Sequence, residues 1–258
     1  MRNIKFYIIG LLFFGSLVNG VSQEDKKVAL AFKVSPTFSW MQVSNNGYES
    51  NGTSAGIAYG LLMDFRLFGE KNYALASGLT FNHTSGKIVE PSYYSDSNSG
   101  MVYSSKSDAK YSMTYIDVPF AIRLKTNEIG YNTYYGEFGT EFGFRVNAKK
   151  KYTDTYSGGV IDEQTDDVSD QINWFRSSLI IGLGVQRNIS GNTFYRVGVT
   201  YHNGLTNVLR GPGTGDDEGK AFLVDGNGNT VIENGAPVYD KKLSTKLKFI
   251  EVQLAIIF

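Results

Sequence analysis

Apolar and polar side chains alternate with period two along most of this chain, over runs long enough to be β-strands. Leu30, Phe32, Val34, Pro36, Phe38 and Trp40 alternate with Ala31, Lys33, Ser35, Thr37 and Ser39. The pattern returns over 57–67, 73–82, 115–124, 134–146, 175–186, 195–202 and 250–258, and no run carries the 3.6-residue period of an amphipathic helix. Eight strands are therefore expected, each of about the 9 to 11 residues that a tilted strand needs to cross a bilayer, or longer.

The connections sharpen the picture. They fall at 42–53, 68–72, 85–109, 126–131, 148–171, 189–192 and 208–242, so long and short alternate throughout. An up-and-down barrel with both termini on one side produces this order, with short periplasmic turns and long extracellular loops. A soluble calyx also alternates, but turns its apolar face inward and needs an exterior dense in Lys, Glu and Thr. Here the second face is Gly, Ala and Ser with isolated charges, which suits the crowded inside of a small barrel. The expectation is an all-β, eight-stranded antiparallel transmembrane barrel.

Composition agrees and removes several chemistries. The 258 residues include 29 Gly, 17 Tyr and 17 Phe, only 19% are charged, and there is no Cys. A disulfide scaffold, a Cys-ligated zinc site and a thiol nucleophile are thereby excluded. With 25 basic against 25 acidic residues, the basic face that nucleic-acid binding requires is missing. The first residues read as an export signal: Arg2 and Lys5 precede an apolar run over 6–18, with Gly20 and Ser22 at the end. Cleavage after Ser22 would leave 23–258 as an outer-membrane β-barrel domain, with a charge of −2. The apolar run is too short for a comfortable span, and with no Cys beside it a lipoprotein is excluded.

The alternation turns Lys33, Asp64, Arg66, Asp117, Arg123, Glu137, Glu141, Arg145, Arg176, Arg196 and Glu251 toward the lumen. An eight-stranded barrel is filled by its own side chains, and a buried unpaired ion costs several kcal/mol, so these charges are expected to pair as a plug rather than to line an ion route. Arg123 with Glu137 and Glu141 is the foremost cluster. Of two imidazoles, His83 falls on the lipid side and His202 faces inward, and neither has a nucleophile motif; no catalytic residue and no enzyme is expected. Asp225-Gly226-Asn227-Gly228-Asn229 has oxygen donors at alternate positions but lacks the Gly and acid that complete a calcium loop. Its strand-like flanks favour a hairpin with a Gly/Asn turn, and neither metal nor cofactor is expected. The long loops carry Tyr93, Tyr94, Tyr103, Tyr152, Tyr156 and Tyr239, with nine basic and fifteen acidic residues over 85–109, 148–171 and 208–242. Gly211, Pro212, Asp225, Asn227 and Asn229 in the longest loop form the candidate interaction segment.

Tyr115-Ile116-Asp117-Val118-Pro119-Phe120, Gly182-Leu183-Gly184-Val185, Tyr201-His202-Asn203-Gly204-Leu205-Thr206-Asn207 and the terminal Phe258 together resemble the outer-membrane β-barrel domain family of Bacteroidetes, called PorT-like or "porin family". The resemblance covers the mature chain. It implies the fold and an outer-membrane location in a Gram-negative bacterium, and brings no shared catalytic residues. Two functions stand open: a structural or surface-interaction role through the outer loops, or an accessory part of a secretion or outer-membrane assembly machine, since PorT-like barrels include such members. A lipid-modifying enzyme would need a His-centred constellation, which does not assemble. Expected partners are outer-membrane lipid and lipopolysaccharide, and a protein at the extracellular loops.

Overall fold

The computed structural model describes residues 27–95, 101–156, 159–191 and 193–258. The expected export signal, 1–22, lies outside the described residues. Eight long strands build the molecule: β1 (Val28–Val43), β2 (Ser54–Arg66), β3 (Tyr73–Ser95), β4 (Val102–Lys125), β5 (Asn132–Tyr156), β6 (Phe175–Ser190), β7 (Thr193–Gly204) and β8 (Thr245–Ile257). Each pairs antiparallel with the next, and β1 pairs with β8 from Ala31 opposite Ile257 to Val43 opposite Thr245, so the sheet closes on itself. Closure leaves no unpaired edge in the wall, the condition for a β-structure to sit in hydrocarbon.

The period-two pattern decides which face is wet. On β1 Phe32, Val34 and Phe38 are exposed while Lys33, Ser35, Thr37 and Ser39 are buried. The same inversion runs around the wall, with Leu61, Phe81, Phe120, Leu183 and Leu254 all outward and exposed, Leu183 at 69%. An apolar exterior around a polar interior is the reverse of a water-soluble barrel and fits a lipid-facing belt. Two prolines mark the ladder. Pro36 has no N–H to give β8, and the β1–β8 register skips from Val34–Leu254 to Thr37–Glu251. Pro119 does the same between β3 and β4, where pairing jumps from Ala76–Ala121 to Thr80–Asp117.

The strands overrun the belt on the long-loop side, which corrects the expected loops at 85–109 and 148–171. β3 and β4 stay paired up to Ser95 opposite Val102, and β5 continues to Tyr156, where Gly159–Asp167 folds back on it from Tyr156–Gly159 to Lys149–Asp167. The result is a sheet standing above the barrel. The connection 205–244 lies against it, carrying two short ladders, Lys220–Phe222 with Tyr239–Lys242 and Ile232–Glu233 with Ala236–Pro237. Its Asp225–Asn229 turn is the expected hairpin, but it leans on the sheet rather than standing free: Thr230 donates from N to Ser104 Oγ (2.9 Å) and from Oγ1 to the Ser92 carbonyl (2.7 Å).

Candidate functional site

The middle of the lumen is a set of buried ion pairs that join both neighbouring and non-neighbouring strands. Arg123 on β4 donates to Glu137 on β5 (3.0 and 2.6 Å) and to Asp64 on β2; Asp64 also accepts from Arg196 on β7 (2.5 Å) and Lys125 (3.4 Å). Arg176 on β6 donates to both oxygens of Asp117 on β4 (2.8 Å each) and to Glu141 (3.2 Å), and Asn82 also donates to Asp117 (2.9 Å). Lys33 on β1 donates to both oxygens of Glu251 on β8 (2.8 and 3.0 Å). His202 lies 3.2 Å from Glu141 and stacks on Phe249.

Small residues on the strand in between make these reaches possible. Asp117, Gly143 and Arg176 are in register on β4, β5 and β6, and a Cβ on Gly143 would stand 2.5 Å from Asp117 Oδ1 and 3.0 Å from Arg176 Nε. Glu137, Gly182 and Thr200 repeat the arrangement on β5, β6 and β7, where Thr200 Oγ1 donates to Glu137 (2.9 Å) across the glycine. Asp64 and Arg123 meet over Ala74 and Ala76 of β3. The network is tight: a void beside Lys33, Glu141, His202 and Glu251 measures about 30 Å³, roughly one water.

Above the charges the inward face turns apolar. Met41, Ile88, Met113, Tyr115, Leu247 and Phe249 from the strands meet Val168, Ile172, Val208, Leu209 and Leu243 from the loops in one buried cluster. Arg176 lies under it, 4.7 Å from the Tyr115 ring and 5.1 Å from Phe249. Beyond the cluster, the standing sheet and the 205–244 connection enclose a cavity of about 1010 Å³. It is lined by Tyr48, Glu90, Tyr111 and Lys150, by Asn173, Asn207 and Arg210, and by Gly211, Gly213, Gly215 and Gly219 of the glycine-rich stretch. Glu90 accepts from Tyr111 Oη (2.9 Å) and pairs with Lys150 (2.5 Å), whose ammonium also lies 4.4 Å from the Tyr152 ring centroid. Burial, and then the Glu90 charge, push the Tyr111 and Tyr48 phenols well above their usual range.

The sequence matches the family model described as "Outer membrane protein beta-barrel domain" over residues 21–210. The chain belongs to this family. This outer-membrane barrel is also similar to solved structures. Neisserial surface protein A has 9% identity and a TM-score of 0.43, with 91% of this chain and 98% of that one covered. Ail, the attachment invasion locus protein of Yersinia pestis, has 13% and 0.34, covering 90% and 100%. The outer membrane protease OmpT from Escherichia coli has 12% and 0.36, covering 93% and 99%. No curated protein matches the sequence.

In the barrel, the eleven inward charges read from the sequence divide into groups. Lys33, Asp64, Asp117, Arg123, Glu137, Glu141, Arg176, Arg196 and Glu251 are buried in the pairs described. Arg66 is half-buried at the short-turn end opposite Ala74, and Arg145 is half-buried opposite Tyr115, where Val146 bulges out of the ladder. Arg123 does not pair with Glu141, contrary to expectation: Glu141 faces the Arg176 and His202 group. His83 lies on the outer face between Tyr59 Oη (3.3 Å) and Thr114 Oγ1 (3.0 Å). Gly211 and Pro212 line the mouth cavity. Asp225 Oδ1 accepts the backbone N–H groups of Asn227 (2.9 Å) and Asn229 (2.8 Å), so its carboxylate holds the turn. Sequence reasoning missed Glu90 and Lys150. The even-numbered inward face of β3 extends through Ile88 to Glu90, which was a readable signal; the bulge at Val146 shifts the parity of β5 and hides Lys150.

Proposed function

We propose that this outer-membrane barrel is a non-conducting, non-enzymatic surface protein that recognises its partner at the extracellular mouth. Export by the 1–22 signal, with the short turns in the periplasm, belongs to the same reading. The observation that carries it is the pairing of a filled lumen with a walled cavity of about 1010 Å³ directly above it. Recognition sites concentrate on loops held by rigid scaffolds, and this cavity is held by strands that run straight up from the barrel wall. Its charged lining is balanced, with Glu90, Asp170 and Glu218 against Lys150, Arg210 and Lys242, so it favours a polar partner without strong net charge.

Site-specific photo-cross-linking in intact cells tests this reading. A photoreactive residue at Thr214, on the exposed rim, is expected to yield adducts with a cell-surface or extracellular molecule, whereas one at Glu128 in a short turn yields none. Adducts from Glu128 alone would move the working surface to the periplasm, overturn the proposal and favour the assembly-machine role that the PorT-like resemblance raises.

A further inference from the structure

The outward face of the standing sheet, just above the lipid-facing belt, carries a line of lysines. Lys87 on β3 is directly opposite Lys110 on β4, and Lys110 is directly opposite Lys151 on β5. One step closer to the belt, Ser85, Ser112 and Lys149 form a parallel row, with Ser85 Oγ and Ser112 Oγ 3.3 Å apart. Like charges directly opposite in a sheet repel, and such a row persists most readily where an anion sits on it. Lys87 and Lys110 have no ion-pair partner among the described residues, and Lys151 holds only Glu163, at 2.8 Å with both side chains more than half exposed. Asp108 flanks the row, held by Asn51 (3.0 Å). The 205–244 connection reaches this outward face only beyond the row, where Thr230 N donates to Ser104 Oγ and Asn229 lies beside Lys106 and Asp108, and none of its acids is ion-paired with Lys87, Lys110 or Lys151 among the described residues.

Position selects the anion. On β3 the outward face changes from aromatic to polar at His83, and Lys87 lies four residues farther on. At about 3.3 Å per residue and a tilt near 40°, that places the row about 10 Å above the belt's edge, level with lipid head groups. A phosphate there meets ammonium groups from the upper row and hydroxyls from the lower one, and each lysine near a charged lipid surface contributes about 1 kcal/mol. We propose that Lys87, Lys110 and Lys151, with Ser85, Ser112 and Lys149 beneath them, form a docking site for the phosphorylated head group of an outer-leaflet lipid. The inference is independent of the mouth reading.

The test uses the full chain folded in neutral detergent, with three probes: a doubly phosphorylated lipid A, the same lipid stripped of its phosphates, and inorganic phosphate. Bound lipid is counted by native mass spectrometry and folding is checked by heat-modifiable gel migration. The triple variant Lys87→Gln, Lys110→Gln, Lys151→Gln is expected to lose at least about ten-fold in affinity for the phosphorylated lipid. The double variant Lys246→Gln, Lys248→Gln, which removes two outward lysines beside Trp40 without touching the row, is expected to stay near wild type. Lys110→Gln alone supplies a sign reversal: without lipid it melts at the same or a higher temperature than wild type, and with phosphorylated lipid it gains less. Equal retention by wild type and the triple variant overturns the proposal, as does equal retention of the stripped lipid. Inorganic phosphate binding as tightly as the lipid also overturns it, by making the row a soluble-anion site.

Discussion

Arg123 shows how one side chain ties three strands: it starts on β4, bonds Glu137 on β5, and reaches Asp64 on β2 over the alanines of β3. Removing it leaves two carboxylates buried with fewer cations, so Arg123→Ala is expected to destabilise the folded barrel by about 3–5 kcal/mol, read as a lower urea midpoint of the heat-modifiable band. Gly143→Ala tests the same principle from the other side. Its new methyl would stand between Asp117 and Arg176, and neither can yield without losing its partner, so a lower midpoint is expected there too, while an alanine at exposed Gly226, which has open space around it, leaves it unchanged. That these charges point inward follows from period-two alternation alone. Which of them pair follows only in part: Arg123–Glu137 and Lys33–Glu251 join neighbouring strands, but Asp64–Arg123 and Asp117–Arg176 lie two strands apart, where the deciding residues are the small ones between them. Of the two acids expected beside Arg123, Glu137 lies directly opposite and bonds it, while Glu141, four residues farther along β5, faces Arg176 and His202.

At the scale of elements, the belt strands were legible and their extensions were not. Within the belt, lipid on one side and lumen on the other impose a sharp apolar–polar contrast; above it both faces meet polar surroundings or a loop, so Ser104, Lys106 and Asp108 read as loop while forming a regular ladder. The apolar cluster was equally hidden, since Val168, Ile172, Val208 and Leu209 sit in connections far apart in sequence. This upper layer has its own pH response. Tyr48 and Tyr111 are held above the usual phenol range, so their neutral forms favour the folded cap; that contribution is complete below about pH 10, the unfolded value, and is lost as pH rises toward the folded values. Hydrogen exchange of β4 residues 105–111 is therefore expected to accelerate in alkali before that of the belt strands, and Tyr111→Phe, which cannot ionise, is expected to shift the onset to higher pH.

For the whole molecule, the charge network and the apolar cluster lie in series, so planar-bilayer recordings are expected to show no steady conductance; a large, constant current would mean that neither layer closes the lumen. The eight-strand closure and the exterior belt were readable in the sequence, because each is set by periodicity and length. The Lys33–Glu251 pair adds something about history. It joins the first strand to the last, across the one seam that no chain connection holds. Until the seam zips shut both groups remain hydrated. Zipping dries both ions, unites them and sets β1 beside β8 in one movement, so an almost-finished barrel has little to gain from partial closure. The last step of biogenesis is thereby made a latch, one that engages only when the full-length C-terminal strand has arrived.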